Sequence, residues 1–443
     1  MKGFMIQGRK IAYRIVILLA MVQIGAGILW VICNLGRVPE FTGTRELLEI
    51  SRTLVTDEYV GIIYPFLIRM TMWAESVLKI PYHYYLYFLQ LAVGYYALKR
   101  LLLSVHCPKA RWVVLWIMTL PTVLQLYLAV RPQALAVSML LLCLCNLQEA
   151  KWIRGGVFWC LAGLLIPEYF WFAGGGYLCC LLFYAWKKQL GKKAWLRSLL
   201  CMAAVCLATS AVHAVTVEDY SRGRMIRTPL SMMLNRIVWP HYGTNSYFWH
   251  SDVHALFDEE GLKKLAQNPD NSVTTFGATM EQTYEYEWVE TIYKYMILFT
   301  WDMRTKEIVG DIVNDLWGYG MPLTAFIRNL EGEGVSFAAW NYAQMSRECP
   351  VLTKWYVHIC GRIFALFMFI ALALLIYKIM GRKKITSEGG LAAALGIVCI
   401  LQIVWYTMSM SGSLDYTNVM LVSMGWGILA ANQILSALVE KDT

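Results

Sequence analysis

Ten stretches of this chain are apolar over helical lengths, and the basic clusters in the short loops between them fall on one side of any membrane those helices could cross. The stretches run near 12–34, 82–103, 112–130, 132–148, 156–166, 168–186, 198–216, 355–379, 389–410 and 417–438. An apolar helix of about 20 residues spans the hydrocarbon core of a bilayer. Helices satisfy every backbone N–H and C=O within a single segment there. The chain is 58% hydrophobic and 16% charged, with mean hydropathy +0.48. Soluble domains carry about 25% charged residues, so in water this chain would expose too much apolar surface. The predicted fold class is all-α: a polytopic membrane protein of about ten transmembrane helices with an extracytoplasmic α-rich domain inserted before the last three spans.

Basic residues set the orientation, because cytoplasmic loops carry the excess of Lys and Arg. Lys2, Arg9, Lys10 and Arg14 place the N-terminus inside and the loop 35–81 outside. Lys99, Arg100, Lys109 and Arg111 then fall inside, Arg131 outside, and Lys151 and Arg154 inside. Lys187 to Arg197 are inside again, the block 217–354 is outside, and Arg382, Lys383 and Lys384 return inside, leaving the C-terminus cytoplasmic. The net charge of +9 is thereby explained as topology, so membrane lipids, not nucleic acids, are the predicted surroundings. The apolar run after the basic N-terminus imitates a signal peptide but lacks a clear cleavage site, and is predicted to stay as the first span. Three parts follow: a transmembrane module 1–216 with its outer loop 35–81, an extracytoplasmic domain 217–354, and C-terminal transmembrane helices 355–443.

The stretch 156–166 is too short to cross alone. It is either tilted and shared with the next helix at Pro167, or forms with it a broken hairpin whose non-helical turn needs protein around it. Most of the twelve cysteines lie inside apolar runs, where free Cys behaves as a small hydrophobe. In the loop 35–81, Thr44 can cap a helix with an apolar stripe of Leu47, Leu48, Ile50 and Leu54, and Arg45, Glu49 and Arg52 share the opposite face. The segment 61–78 is apolar but holds Pro65, Arg69 and Glu75, which suits a helix lying in the interface. Within the outer block, helical patterns appear near 252–267 and 279–298.

Three segments carry a family resemblance. Ile50-Ser51-Arg52-Thr53-Leu54 is followed by Asp57-Glu58-Tyr59 and Tyr64-Pro65. Leu161-Ala162-Gly163-Leu164-Leu165-Ile166-Pro167-Glu168-Tyr169 forms a hairpin pattern. Ser413-Leu414-Asp415-Tyr416-Thr417-Asn418 precedes the last span. Together they resemble the GT-C superfamily, multi-pass glycosyltransferases that take a sugar from a polyprenyl-phosphate donor at the outer membrane face. The resemblance implies a donor of that kind and a glycan, lipid or protein acceptor in the cell envelope. These families place an acid just ahead of the first outer helix. That register falls on Gly43 and Thr44 here, with Glu40 and Glu46 the nearest carboxylates.

Sugar transfer from a lipid phosphate needs a carboxylate to take the acceptor's proton and steady the anomeric cation. It also needs cations, or a bound divalent metal, on the departing phosphate. Glu46 is the first candidate base and Glu40 the second. Asp57 and Glu58 are candidates to hold an acceptor or a metal. Arg131, at an outer helix junction beside Pro132, and the group Arg222, Arg224 and Arg227 are candidates for the phosphate. Glu168, after Pro167 in the short hairpin, sits where an ionisable group at membrane depth usually matters. The bland alternatives are a helix-terminal charge for Glu46, a polar turn for Asp57 and Glu58, and interface snorkelling for the arginines. No ligand spacing identifies a metal site: His241, His250 and His254 lack a carboxylate at a matching interval. An envelope polysaccharide polymerase or ligase, working with arginines and a histidine, is one alternative function. A polytopic transporter or flippase is another.

Overall fold

A computed structural model of the chain describes residues 44–56, 61–104, 127–186, 191–216, 233–238, 255–266 and 283–319, together with positions 14, 17, 18, 21, 22, 24, 25, 111, 112, 115, 230, 276, 279 and 280. Among the described residues the regular elements are helical and no β-strand forms. The protein is therefore all-α over this part. The expected spans 355–379, 389–410 and 417–438 lie outside the described residues, as do most of 12–34 and 112–130. The chain divides into two compact units, one holding the described residues up to Thr216 and the other those from Leu230 to Tyr319.

The first unit is built from α1 (Thr44–Thr53), α2 (Ile63–Leu78), α3 (Tyr82–Ser104), α4 (Gln133–Gln148), α5 (Trp152–Leu165), α6 (Pro167–Trp186) and α7 (Lys192–Thr216). Helix α4 is apolar on every side, so it must be buried on every side. It is: Ala134, Leu135, Leu140, Cys143, Leu144 and Leu147 are all buried, and α3, α5 and α6 pack around it. Its C-terminus turns back through a Schellman motif, with Ala150 left-handed (φ 56°). The Ala150 N–H donates to the Leu147 carbonyl at 3.0 Å and the Lys151 N–H to the Asn146 carbonyl at 2.9 Å, the two bonds that define the motif.

Helices α5 and α6 form the broken hairpin, not one shared span. Trp159 packs on Phe170 and Tyr177, and Trp152 on Tyr177 and Tyr184, the descending register of an antiparallel pair. Ile166 between them is extended (φ −140°, ψ 112°). Helix α5 begins at Trp152, four residues ahead of the apolar stretch, but its 14 residues reach only about 21 Å at 1.5 Å per residue. Its turn is covered by the segment before α2. A Cβ on Gly61 would stand 2.1 Å from the Leu164 carbonyl oxygen, so only glycine allows that approach. Beside it, the Thr56 N–H donates to the Thr216 carbonyl at 2.9 Å.

Contacts between helices sort their ends into two groups. Gln90 on α3 reaches the chain just before α4, and Arg100 on α3 reaches Glu149 just after it, so these helices run parallel. Helix α5 opposes α4, and α7 runs with α5, since Gly156 lies against Cys201 and Cys160 pairs with Thr209. One end of the bundle thus holds Thr56, residues 61–64, the starts of α3, α4 and α6, and the finish of α7. The other holds Arg100, Glu149 and Lys151, with the exposed cations Lys99, Arg154, Lys192, Lys193 and Arg197. Glu149 accepts from Arg100 at 2.7 Å and from Lys151 at 2.5 Å.

Three helices of this unit also expose apolar side chains. Phe88 and Tyr95 on α3, Trp171, Leu178 and Leu182 on α6, and Leu196, Leu200 and Leu207 on α7 are exposed at spacings of 7 and 4, one stripe per helix. Among the described residues, α7 is the helix long and apolar enough to cross a membrane by itself, with mean hydropathy 1.9. Shorter apolar helices cover Gln133–Leu147, Trp152–Leu165 and Tyr169–Ala185. Helix α2 exposes Phe66, Met70, Trp73 and Val77 while burying Tyr64, Pro65 and Ile68. Pro65 sits in its first turn, where a missing N–H costs nothing.

The second unit packs α8 (Glu259–Ala266), α9 (Tyr286–Tyr319) and a π-helical turn, Leu234–Val238, around its own core. Leu234, Ile237, Phe276, Val289, Tyr293 and Met296 are its buried centre. Asp258 caps α8: its Oδ1 accepts from the Gly261 N–H at 2.7 Å and from the Tyr284 hydroxyl at 2.8 Å. Both helices differ in extent from the sequence pattern, α8 being shorter than 252–267 and α9 running past 298 to Tyr319. Arg304 departs from helical geometry (φ −128°, ψ 24°) and kinks α9.

Candidate functional site

Polar side chains gather inside the first unit, at the end where α2, α3 and α4 begin. Gln90, fully buried on α3, joins three chain segments. Its Nε2 donates to the carbonyls of Tyr127 at 2.8 Å and Ala129 at 3.0 Å, and its Oε1 accepts from the Tyr64 hydroxyl of α2 at 2.9 Å. The Tyr127 hydroxyl lies 3.2 Å from Ser138 Oγ on α4. A Cβ on Gly94 would stand 2.3 Å from the Tyr127 ring, so glycine at this place on α3 admits the ring. These bonds hold the turn at 128–132, and Arg131 is its centre.

Arg131 is only 5% exposed. A guanidinium keeps its charge even when buried, so it acts as a fixed positive centre in low dielectric. Its influence on Tyr64, which lies outside the predicted spans, is direct. Burial, with Tyr87 beside it, pushes the Tyr64 phenol well above the ordinary tyrosine value, and the Arg131 backbone N–H and charge pull the other way. Gln133 follows on the first turn of α4. Among the described residues its Oε1 is buried without a hydrogen-bond partner, and so is Nε2 of His83 on the first turn of α3. The His83 ring packs on Tyr84 at 4.5 Å and Tyr87 at 5.5 Å between centroids. Glu75 caps that helix, its Oε2 accepting from the Tyr82 N–H at 3.2 Å.

Such groups are uncommon: most buried polar atoms in folded proteins have a partner, and an unsatisfied one costs about 1–3 kcal/mol. A cation with two open polar groups on adjoining first turns can recognise an anionic or hydroxyl-rich ligand. Among the described residues no group of three His, Cys, Asp or Glu side chains could hold a metal ion.

Of the site residues named from the sequence, Arg131 is the one whose side chain is described. The backbone puts Glu46 on the first turn of α1 and Glu168 on the first turn of α6, and both side chains lie outside the described residues. Glu40, Asp57, Glu58, Arg222, Arg224 and Arg227 also lie outside them. Glu168 nevertheless follows the buried hairpin turn at Ile166, at the same end of the bundle as Arg131. Sequence reasoning passed over Tyr64, Gln90 and His83. The available signal was a glutamine and a histidine inside the apolar run 82–103, where polar residues generally have a task. Comparison with known protein families, curated proteins and solved structures finds no match to this chain.

Proposed function

We propose that this chain is a polytopic membrane protein that transfers a sugar from a polyprenyl-phosphate donor to a cell-envelope acceptor at the outer face. The observation that carries the reading is the inversion of polarity in the first unit. Large apolar side chains are exposed in single stripes along α3, α6 and α7, while Arg131, Gln90, His83, Ser138, Asn146 and Thr209 are buried. A water-soluble bundle has the opposite arrangement, since exposed apolar patches of that extent bind something apolar. In a bilayer the stripes face lipid and the polar groups face one another.

Depth supports the reading further. Helix α4 has 16 residues, about 24 Å at 1.5 Å per residue, against a hydrocarbon core of about 30 Å. If its C-terminal loop lies at the cytoplasmic surface, Arg131 stands below the outer surface under α2, whose exposed apolar stripe suits it to the interface. A lipid-borne phosphate travels at that depth. In this reaction Arg131 draws the phosphate, Gln133 and His83 supply hydrogen bonds, and Glu46, with Glu40 as the second candidate, takes the acceptor's proton. The glycosidic bond to the new oxygen forms as the bond to phosphate breaks, and the phosphate leaves on its lipid.

The test is transfer of labelled sugar from a polyprenyl-phosphate donor by membranes holding the full chain. Arg131→Gln and Glu46→Gln should each lower transfer at least a hundredfold while the protein remains in the membrane. Wild-type rates in both variants would refute the assignment. A second reading has its own observation. His83 leaves a buried Nε2 open, which suits a polymerase or ligase that works with an arginine and a histidine. In that case His83→Gln abolishes activity and Glu46→Gln does not.

A further inference from the structure

Helices α1 and α2 pack on each other but present different surfaces. Helix α1 exposes Glu49, Arg52 and Thr53, a face suited to water. On α2, Phe66, Met70, Trp73 and Val77 are exposed, Trp73 by 65%. They stand 4, 3 and 4 residues apart, so they form one stripe along the helix. Arg69 marks the seam between the two helices: it is exposed, and its Nη1 donates to the Arg52 carbonyl at 3.4 Å. Past the end of α2, the exposed Lys79 and Ile80 lead through Pro81 into α3, where the exposed Phe88 and Tyr95 carry the apolar surface onward. A polar and an apolar surface thus meet within about one helix diameter, roughly 10–12 Å.

That boundary selects the occupant. A lipid leaflet covers the outer faces of α2 and α3 together and leaves the charged face of α1 in water. Amphipathic helices lie in this way between headgroups and acyl chains, with Trp and Phe inserted. Arg69 and Lys79 have stems long enough to keep their charges among the headgroups. The other face of α2 links the stripe to the Arg131 turn. There the buried Tyr64 donates to Gln90 Oε1 at 2.9 Å, and the Gln90 amide holds the carbonyls of Tyr127 and Ala129. We infer that outer-leaflet phospholipids are the partner of the Phe66–Val77 stripe, and that this contact positions the Arg131 turn through Tyr64 and Gln90. Trp73 is thereby a positioning residue, touching lipid and acting on the turn through its helix. The contact presupposes the membrane reading above and adds to it a lipid dependence of the site.

The experiment uses the full chain in nanodiscs of phosphatidylglycerol and phosphatidylcholine, with no sugar donor present. Trp73→benzoylphenylalanine is irradiated and its adducts are identified by mass spectrometry, with Glu49→benzoylphenylalanine on α1 as the comparison. Phospholipid adducts should form at position 73 and not at position 49. Amide exchange of residues 127–131 is then followed in the same discs. Trp73→Ser, at a mostly exposed position, should speed that exchange about fivefold, the lower end of couplings between distant groups. Tyr64→Phe should speed it as well, and the two together should do no more than the larger alone, because both act through one hydrogen bond. Trp73→Phe keeps an apolar ring and should keep wild-type exchange. Phe66→Ser takes the place of Trp73→Ser if that variant does not fold. A cross-link from position 73 to a protein chain, phospholipid adducts at both positions, wild-type exchange in Trp73→Ser, or multiplied effects in the double variant each overturn the inference. A chain that stays monodisperse after detergent removal overturns the membrane reading itself. A chain that needs detergent and gives no phospholipid adduct at position 73 overturns this contact alone.

Discussion

Replacing Gln90 with leucine tests whether the buried amide holds the Arg131 turn in place. The substitution keeps most of the side-chain volume, so packing changes little. It removes three hydrogen bonds, to Tyr127 and Ala129 and from Tyr64, with lengths of 2.8, 3.0 and 2.9 Å. Hydrogen bonds between membrane helices average about 0.6 kcal/mol, and buried ones in general contribute about 0.5–1.5 kcal/mol, so three give about 2–4 kcal/mol. Tyr64→Phe removes one of the three and should cost about 1 kcal/mol. The informative quantity is the cycle. Once Gln90 is leucine, the Tyr64 hydroxyl has lost its partner, so removing it should cost little or even help. Denaturation of the four proteins in one detergent, followed by near-ultraviolet circular dichroism, gives the coupling. We expect the double variant to be more stable than the sum of the single losses by about 1 kcal/mol. Additive losses, or a Gln90→Leu cost below about 0.5 kcal/mol, would show that the amide does not hold this turn.

Three further outcomes follow from the geometry. Ala150→Gly should stabilise the first unit by about 1 kcal/mol, because Ala150 occupies the left-handed position of a Schellman motif that favours glycine; denaturant unfolding that shows a loss would contradict the motif. Tyr284 is raised from the ordinary value to about 12, by burial and then by its bond to Asp258. The folded state therefore holds this proton more tightly than the unfolded one. Its contribution is complete below pH 10 and fades as pH rises towards about 12. Tyr284→Phe should flatten that part of the alkaline unfolding curve. Glu149 is pushed up by burial but held below the ordinary carboxylate value overall by its bonds from Lys151 and Arg100. Its contribution is present above the ordinary value and lost as pH falls through the lowered one. Because the pair is partly exposed, Glu149→Gln should cost under about 1 kcal/mol and should cost less at high salt; a larger, salt-independent loss would refute the surface assignment.

The helices were legible in the sequence where apolar runs end at charge or proline. Helix α3 stops within one residue of the stretch 82–103, and α4 starts one residue after the arginine-proline pair at its head. Helix α7 begins at Lys192, six residues before its apolar run, because its basic first turns are still helical. Periodicity alone could not choose between a shared span and a hairpin at Ile166. Glycine did: Gly163 admits Phe170, and Gly174 admits Trp159, contacts that exist only when the two helices fold back on each other. The site was legible in one residue, Arg131, through its place outside a loop pattern that puts cations inside. Its neighbours were not, because Gln90 and Tyr64 meet across 26 positions of sequence. No local pattern records such a contact.

The most direct measurement is a cryo-electron microscopy map of the full chain in nanodiscs with a polyprenyl-phosphate sugar. Phosphate density beside Arg131, beneath α2 and at the end of the bundle opposite Glu149, is the result the account predicts. Carrier density confined to the Arg100–Glu149–Lys151 end, with the Arg131 turn unvisited, would contradict it.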